Sequence, residues 1–137
     1  FRRWQTRLGQ SSNPAINQVA VSYADYSSVN APAPEEVWRL ACETGCTGLL
    51  VDTYSKEGLS SFDFLSVENL QELRSRCHES NLFFALAGSI SLKHLDQIKE
   101  VSPDIIAVRG SVCESGARAG QISAVAIHHW KECISNW

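Results

Sequence analysis

The chain has 137 residues, of which 44% are hydrophobic and 20% charged, and this composition is ordinary for one globular domain. No apolar run approaches the ~20 residues of a membrane span, and the first residues carry no signal-peptide pattern. The net charge of −3 disfavours a general nucleic-acid binder, because phosphate backbones attract clustered positive charge.

Predicted helices and strands alternate along the chain. Trp4 and Leu8 indicate the end of a helix within residues 1–10. Near-continuous apolar runs predict strands, and apolar side chains at helical spacing predict helices. Ser66 and Ser91 are suited to cap two of these helices. In chain order we expect a strand at 18–24, a helix at 34–44, a strand at 48–52, a helix at 67–80, a strand at 82–87, a helix at 92–101, a strand at 104–108 and a helix at 122–134.

This alternation predicts an α/β fold with a parallel sheet covered by helices. Right-handed crossovers leave two options, an open doubly wound sheet or part of a barrel. A complete (β/α)-barrel needs eight units and about 250 residues. We therefore expect residues 1–137 to form one domain of four βα units, which is half of a barrel. Because the sequence contains no methionine, Phe1 is not a translation start, and we expect a fragment or a trimmed chain.

Polar residues follow each predicted strand. In both α/β options, functional residues lie at the carboxyl ends of the strands. Asp52 ends the second strand and Lys56 follows four residues later. A lysine at such a position can form a Schiff base with a carbonyl substrate if burial lowers its pKa, or it can transfer protons. The alternative is a surface ion pair in a loop.

A second group of residues predicts an anion site after the third and fourth strands. Glycines there let backbone N–H groups approach an anion, and serine and arginine add donors. Loops after the last two strands bind phosphate in many barrels. The alternative is that the glycines are turn residues. The candidate phosphate-binding residues are Gly88, Ser89, Arg109, Gly110 and Ser111.

The remaining polar candidates are Asp25, the cysteines and the histidines. Asp25 follows the first strand and is either a catalytic carboxylate or a buried, hydrogen-bonded one. The five cysteines form no CxxC motif, which favours reduced thiols in a cytoplasmic protein over a disulfide framework. The four histidines form no HxH or HExxH motif, so we predict no metal site.

The same strand-end segments resemble one known family. The segments VSYADY (21–26), VDTYSKEGLSSFDFLS (51–66), ALAGSI (85–90) and DIIAVRGSVCESGARAG (104–120) are similar to the second half of the (5-formylfuran-3-yl)methyl phosphate synthase family. The pattern DTxxKxG followed by FDFLS is specific, and the resemblance extends through nearly the whole chain from Val19.

The resemblance implies the C-terminal half, strands 5–8, of a TIM barrel. It implies an aldolase-like lyase that condenses two triose phosphates into a phosphorylated furan aldehyde, a precursor of methanofuran, without metal or organic cofactor. Asp52 and Lys56 fall on active-site positions of the family. Because the first half of the family pattern is absent, Lys56 is either the Schiff-base lysine or an acid–base partner of another lysine.

Two other functions compete with this hypothesis. The chain could be a half-barrel that binds or assembles without catalysis, or a doubly wound domain for another phosphorylated ligand. For the enzyme we expect a phosphorylated small molecule as ligand and neither nucleic acid nor membrane as partner. Four parallel strands cannot close a barrel, so we also expect a homo-oligomer or pairing with an N-terminal half.

Overall fold

The computed structural model describes residues 17–55, 57–116, 119–135 and 137. The predicted helix end at 1–10 lies outside these residues. The elements in chain order are β1 (Val19–Tyr23), α1 (Pro34–Glu43), β2 (Gly48–Asp52), α2 (Ser61–Phe64), α3 (Val67–Glu79), β3 (Phe83–Leu86), a 3₁₀ turn (Leu92–His94), α4 (Leu95–Val101), β4 (Ile105–Ile106), two 3₁₀ turns (Gly110–Val112 and Glu114–Gly116) and α5 (Ala124–Ile134).

The four strands form one parallel sheet whose spatial order, β1-β2-β3-β4, follows the chain. Val19 of β1 pairs with Gly48 of β2, which pairs in turn with Phe83 of β3. A doubly wound sheet reverses its strand order at a switch point, and no reversal occurs among the described strands. The predicted α/β fold with parallel strands is confirmed.

One face of this sheet is buried against helices. Alternate side chains of β2 and β3 point to that face, as the two-residue period of a strand requires. Leu49, Val51, Phe84 and Leu86 are fully buried there and belong to a core cluster with residues of α1 and α3. Trp130 of α5 belongs to a second cluster. The hydrophobic core therefore holds the strands and helices in fixed relative positions.

The opposite face carries apolar side chains that the described residues leave uncovered. Val19, Val21 and Ile105 are 40%, 44% and 47% exposed. Their register partners Gly48, Leu50 and Ala85 share this face. Parallel sheets are normally covered on both faces. Within the described part of the chain, the sheet that was predicted to be covered by helices is therefore covered on one face only.

Three elements differ from the sequence prediction. Helix α2 was not predicted; its first turn is closed by the Asp63 carboxylate, which accepts hydrogen bonds from the backbone N–H and the hydroxyl of Ser60. The expected helix at 92–101 begins as a 3₁₀ turn and becomes α-helical only at Leu95. Strand β4 is shorter than expected, although hydrogen bonds from the Asp104 and Ala107 N–H groups to β3 carbonyls continue the pairing on both sides. Among the described residues, no helix is long and apolar enough to cross a membrane.

A candidate active site at the carboxyl edge of the sheet

The carboxyl ends of parallel strands meet at one edge of a sheet, and the described candidate residues all lie there. Asp52 is the last residue of β2, while Asp25 and Gly88 follow β1 and β3 closely. Arg109 follows β4 and precedes the 3₁₀ turn Gly110–Val112. Lys56 lies outside the described residues, so its position relative to Asp52 stays a prediction.

Asp52 stands on the uncovered face of the sheet. It pairs in register with Tyr23 of β1, and its Oδ1 accepts a hydrogen bond of 2.8 Å from the Thr53 N–H. The side chain is half-buried. The carboxylate therefore sits where a strand ends and the loop carrying Lys56 begins, at the border between the apolar face and the polar edge.

Asp25 is buried beneath this loop, with 1% of its surface exposed. Its Oδ1 accepts a hydrogen bond of 2.8 Å from the Tyr54 N–H, and its Oδ2 accepts one of 2.8 Å from the Ser55 N–H. The structure thus places Asp25 as the buried, hydrogen-bonded carboxylate that was one of its two predicted roles. A direct catalytic role for Asp25 stays a prediction.

Gly88 follows β3 and lies against the loop after β2. Its φ is +89°, and a Cβ added to it would lie 2.9 Å from the Thr53 nitrogen and would also meet the Ser61 hydroxyl. Ser61 donates two hydrogen bonds to the residues that follow β3. Its N–H donates to the Gly88 carbonyl at 3.0 Å, and its Oγ donates to the Ala87 carbonyl at 2.7 Å. Only glycine fits this position, both for its backbone angle and for space. Phosphate binding by Gly88 stays a prediction.

The other phosphate candidates occupy the neighbouring loops after β3 and β4. Ser89 is exposed, with a φ of +52°, and Arg109 is also exposed. The Arg109 carbonyl accepts from the Val112 N–H at 3.0 Å and from the Cys113 thiol at 3.2 Å, which fixes the turn. The Ser111 hydroxyl oxygen is buried and has no hydrogen-bond partner among the described residues, which is uncommon for a buried hydroxyl.

Two further contacts at this edge could not be predicted from the sequence. Tyr23 and Tyr54 lie at or just after strand ends, and their rings pack edge to face, with centroids 5.4 Å apart. His94, for which the sequence indicated no contact, is buried, and its ring lies 5.4 Å from that of Phe62 in α2. Burial and the neighbouring Lys93 lower the pKa of His94, which favours the neutral ring. Within the described part of the chain, no three His, Cys, Asp or Glu side chains gather as a metal site requires.

A model of the 4-HFC-P synthase family matches residues 2–131. The chain belongs to the 4-HFC-P synthase family. It is 40% identical over 115 residues to the (5-formylfuran-3-yl)methyl phosphate synthase of Methanocaldococcus jannaschii, covering 83% of this chain and 49% of the relative. The proteins of the same name from Methanothermobacter thermautotrophicus and Archaeoglobus fulgidus are 35% identical over 120 residues and 36% over 116, covering 87% and 85% of this chain and 51% and 49% of the relatives. The chain therefore spans about half the length of these curated relatives, and the family resemblance found in its sequence is confirmed.

Proposed function

We propose that this chain carries catalytic residues of a (5-formylfuran-3-yl)methyl phosphate synthase, a lyase that condenses two triose phosphates into a phosphorylated furan aldehyde. The observation that carries the proposal is the family match over residues 2–131, which includes all four strand-end segments. Since the product named for the relatives bears one phosphate, the reaction must release one phosphate group and water. A cytoplasmic setting, expected from five cysteines without a CxxC motif, is part of this proposal.

The four strands are, in this proposal, strands 5–8 of a TIM barrel. Three features support this arrangement: the strand order follows the chain, the described helices cover one face, and the other face is apolar and uncovered. In a barrel that second face lines the interior, and the active site lies at its carboxyl end. The match covers 51% of one such relative's length, so the relative has room for the other four strands.

Asp52 and Lys56 supply the chemistry of the first step. For Schiff-base formation, the lysine amine attacks the substrate carbonyl carbon, and the carbonyl oxygen leaves as water after proton transfers. If another lysine forms the Schiff base, Lys56 moves those protons instead. Asp52 ends the strand from which this loop departs, so its carboxylate can orient the amine in either case.

The loops after β3 and β4 bind substrate phosphate. Arg109 is exposed at the edge, and the hydroxyl of Ser111, two residues further along the chain, is buried without a partner among the described residues. A phosphate oxygen would accept a hydrogen bond from that hydroxyl and charge-assisted ones from the guanidinium. Ser89, Gly88 and Gly110 provide backbone N–H groups at the same two loops.

The test is turnover of triose phosphate by the chain within a polypeptide of full family length. Lys56→Ala should lower kcat about 100-fold or more, as loss of a nucleophile or proton-transfer group does. Lys99→Ala, an exposed lysine of α4, is the matched control and should keep wild-type activity. Borohydride reduction with substrate, followed by peptide mass analysis, tells whether Lys56 or another lysine forms the Schiff base. Activity of Lys56→Ala within about threefold of wild type contradicts the proposal.

A further inference from the structure

The loop after β2, residues 53–60, is held at its start by one buried side chain. This side chain is Asp25, which follows the neighbouring strand β1. It lies 29 and 30 residues before Tyr54 and Ser55, whose N–H groups it binds. Each carboxylate oxygen takes one N–H, from Tyr54 and from Ser55, at 2.8 Å. These are the last two N–H groups before Lys56. The backbone immediately ahead of the lysine is thus tied to β1.

A carboxylate is the side chain that this arrangement requires. Two consecutive N–H groups need two acceptors on the same side, and an ionised carboxyl offers two, whereas an asparagine amide offers one acceptor and one donor. Hydrogen bonds to a charged acceptor are stronger than neutral ones, and low solvent exposure strengthens them further. Because Asp25 is 1% exposed, water cannot readily replace either bond. Asp25 therefore restricts the backbone angles at Tyr54 and Ser55.

The end of the same loop is tied to the strand on the other side. Ser61 donates from its N–H to the Gly88 carbonyl and from its hydroxyl to the Ala87 carbonyl, at 3.0 and 2.7 Å. The Ser60 N–H is held by Asp63 at 2.6 Å. The loop is consequently fixed on both sides of residues 56–59, to β1 at one end and to the continuation of β3 at the other.

We propose that Asp25 is a positioning residue: by holding the backbone of Tyr54 and Ser55, it supports the catalytic role proposed for Lys56. This inference rests on the proposed catalytic role of Lys56. A reacting group displaced by about 1 Å can lose ~100-fold in rate. Asp25 itself does not have to touch substrate for its loss to slow the reaction.

The experiment compares Asp25→Asn with Asp104→Asn in a polypeptide of full family length. Asp104 is a fitting control because its carboxylate also accepts a backbone hydrogen bond, from the Phe84 N–H at 2.7 Å, but at the amino edge of the sheet. Asp25→Asn should lower kcat about 10- to 100-fold, with a smaller change in KM. Asp104→Asn should keep kcat within about threefold at a temperature where both variants are folded.

A second readout reports on the amine without turnover. Competitive labelling with acetic anhydride across a pH series gives the reactivity and pKa of the Lys56 amine. In Asp25→Asn the labelling rate of the Lys56 amine relative to that of Lys99 should change, while the profile of Lys99 should not. Amide hydrogen exchange should show protected Tyr54 and Ser55 amides in the wild type, and faster exchange of these two amides in Asp25→Asn.

The outcomes separate this inference from the proposed function. An active Lys56→Ala variant overturns the proposed function and this inference with it. An inactive Lys56→Ala variant together with unchanged kcat and unchanged Lys56 labelling in Asp25→Asn overturns the positioning role alone. If Asp25→Asn does not fold, amide hydrogen exchange of the wild type tests the positioning role instead. Slow exchange at Tyr54 and Ser55 supports the role, and exchange at the rate of an unstructured peptide overturns it.

Discussion

Replacing Gly88 by alanine should destabilise the protein markedly, for two reasons that the structure separates. The left-handed backbone angle at Gly88, with φ at +89°, costs an alanine about 1–2 kcal/mol. The new Cβ would also lie 2.9 Å from the Thr53 nitrogen, and relieving such overpacking typically costs about 1–3 kcal/mol. The free energy of unfolding should therefore fall by about 2–5 kcal/mol, the sum of these two contributions.

The matched control for this prediction is Gly45→Ala. Gly45 also has a positive φ, +70°, but a Cβ there would meet no atom within 4 Å. Its replacement should cost only the backbone contribution of about 1–2 kcal/mol. The difference between the two variants thus measures the close approach of Gly88 to the loop after β2.

Urea unfolding of both variants in the same polypeptide gives the measurement, as a shift in midpoint at constant slope. A double-mutant cycle adds a further check, because Ser61 supplies part of the crowding around Gly88. Ser61→Ala should cost less in the Gly88→Ala background than in the wild type. If Gly88→Ala and Gly45→Ala lower the unfolding free energy equally, within about 0.5 kcal/mol, the reasoning from close packing is refuted.

Three further predictions concern the core, a thiol and an ion pair. Phe84→Ala should cost about 3–5 kcal/mol in urea unfolding, because Phe84 is fully buried; a loss under about 1 kcal/mol would contradict the assigned core. Burial raises the pKa of the Cys77 thiol to about 12, so at pH 8 it should react with a disulfide reagent far more slowly than exposed Cys42, and equal rates would contradict this. Burial opposes ionisation of Asp104, but hydrogen bonds from the Phe84 N–H and from His78 outweigh it and lower the pKa of Asp104. Asp104 therefore contributes to stability above the pKa that its carboxyl has in the unfolded chain, and this contribution is lost as the pH falls through the lower folded pKa. Asp104→Asn should make the free energy of unfolding depend less on pH in the acid range. An unchanged pH dependence would contradict this prediction.

The parts of the fold that could be predicted from the sequence are those with a local signal. Apolar runs located all four strands, because residues buried in a parallel sheet must be apolar over several consecutive positions. Ser66 was correctly predicted as a helix cap: its Oγ accepts from the Asn69 N–H at 3.2 Å. Helix α2 was missed because four residues carry no helical periodicity. Its signal was instead the pairing of Ser60 with Asp63 at capping-box spacing.

The details of the site were harder to predict, since they depend on contacts between distant segments. The sequence placed Asp25 at a strand end, but it did not reveal that both carboxylate oxygens bind N–H groups 29 and 30 residues away. The sequence predicted Gly88 as a phosphate-binding residue because a glycine lets backbone N–H groups approach an anion. The structure gives it a second reason to be glycine, the proximity of Thr53 and Ser61. Neither contact follows from a pattern within a few residues.

The uncovered sheet face connects the stability of this chain with its proposed chemistry. A lysine has an ordinary pKa near 10.4, so a Schiff-base or proton-transfer lysine works at neutral pH only where its surroundings lower that value, and desolvation is the usual cause. Asp52 lies on the sheet face that the described residues leave uncovered, and on this face Val21 of the neighbouring strand β1 is 44% exposed. Covering this face would bury apolar surface at ~25 cal/mol per Å² and would also remove water from the carboxyl edge. In the proposed barrel, the element that covers this face should therefore both stabilise the fold and lower the pKa of the lysine.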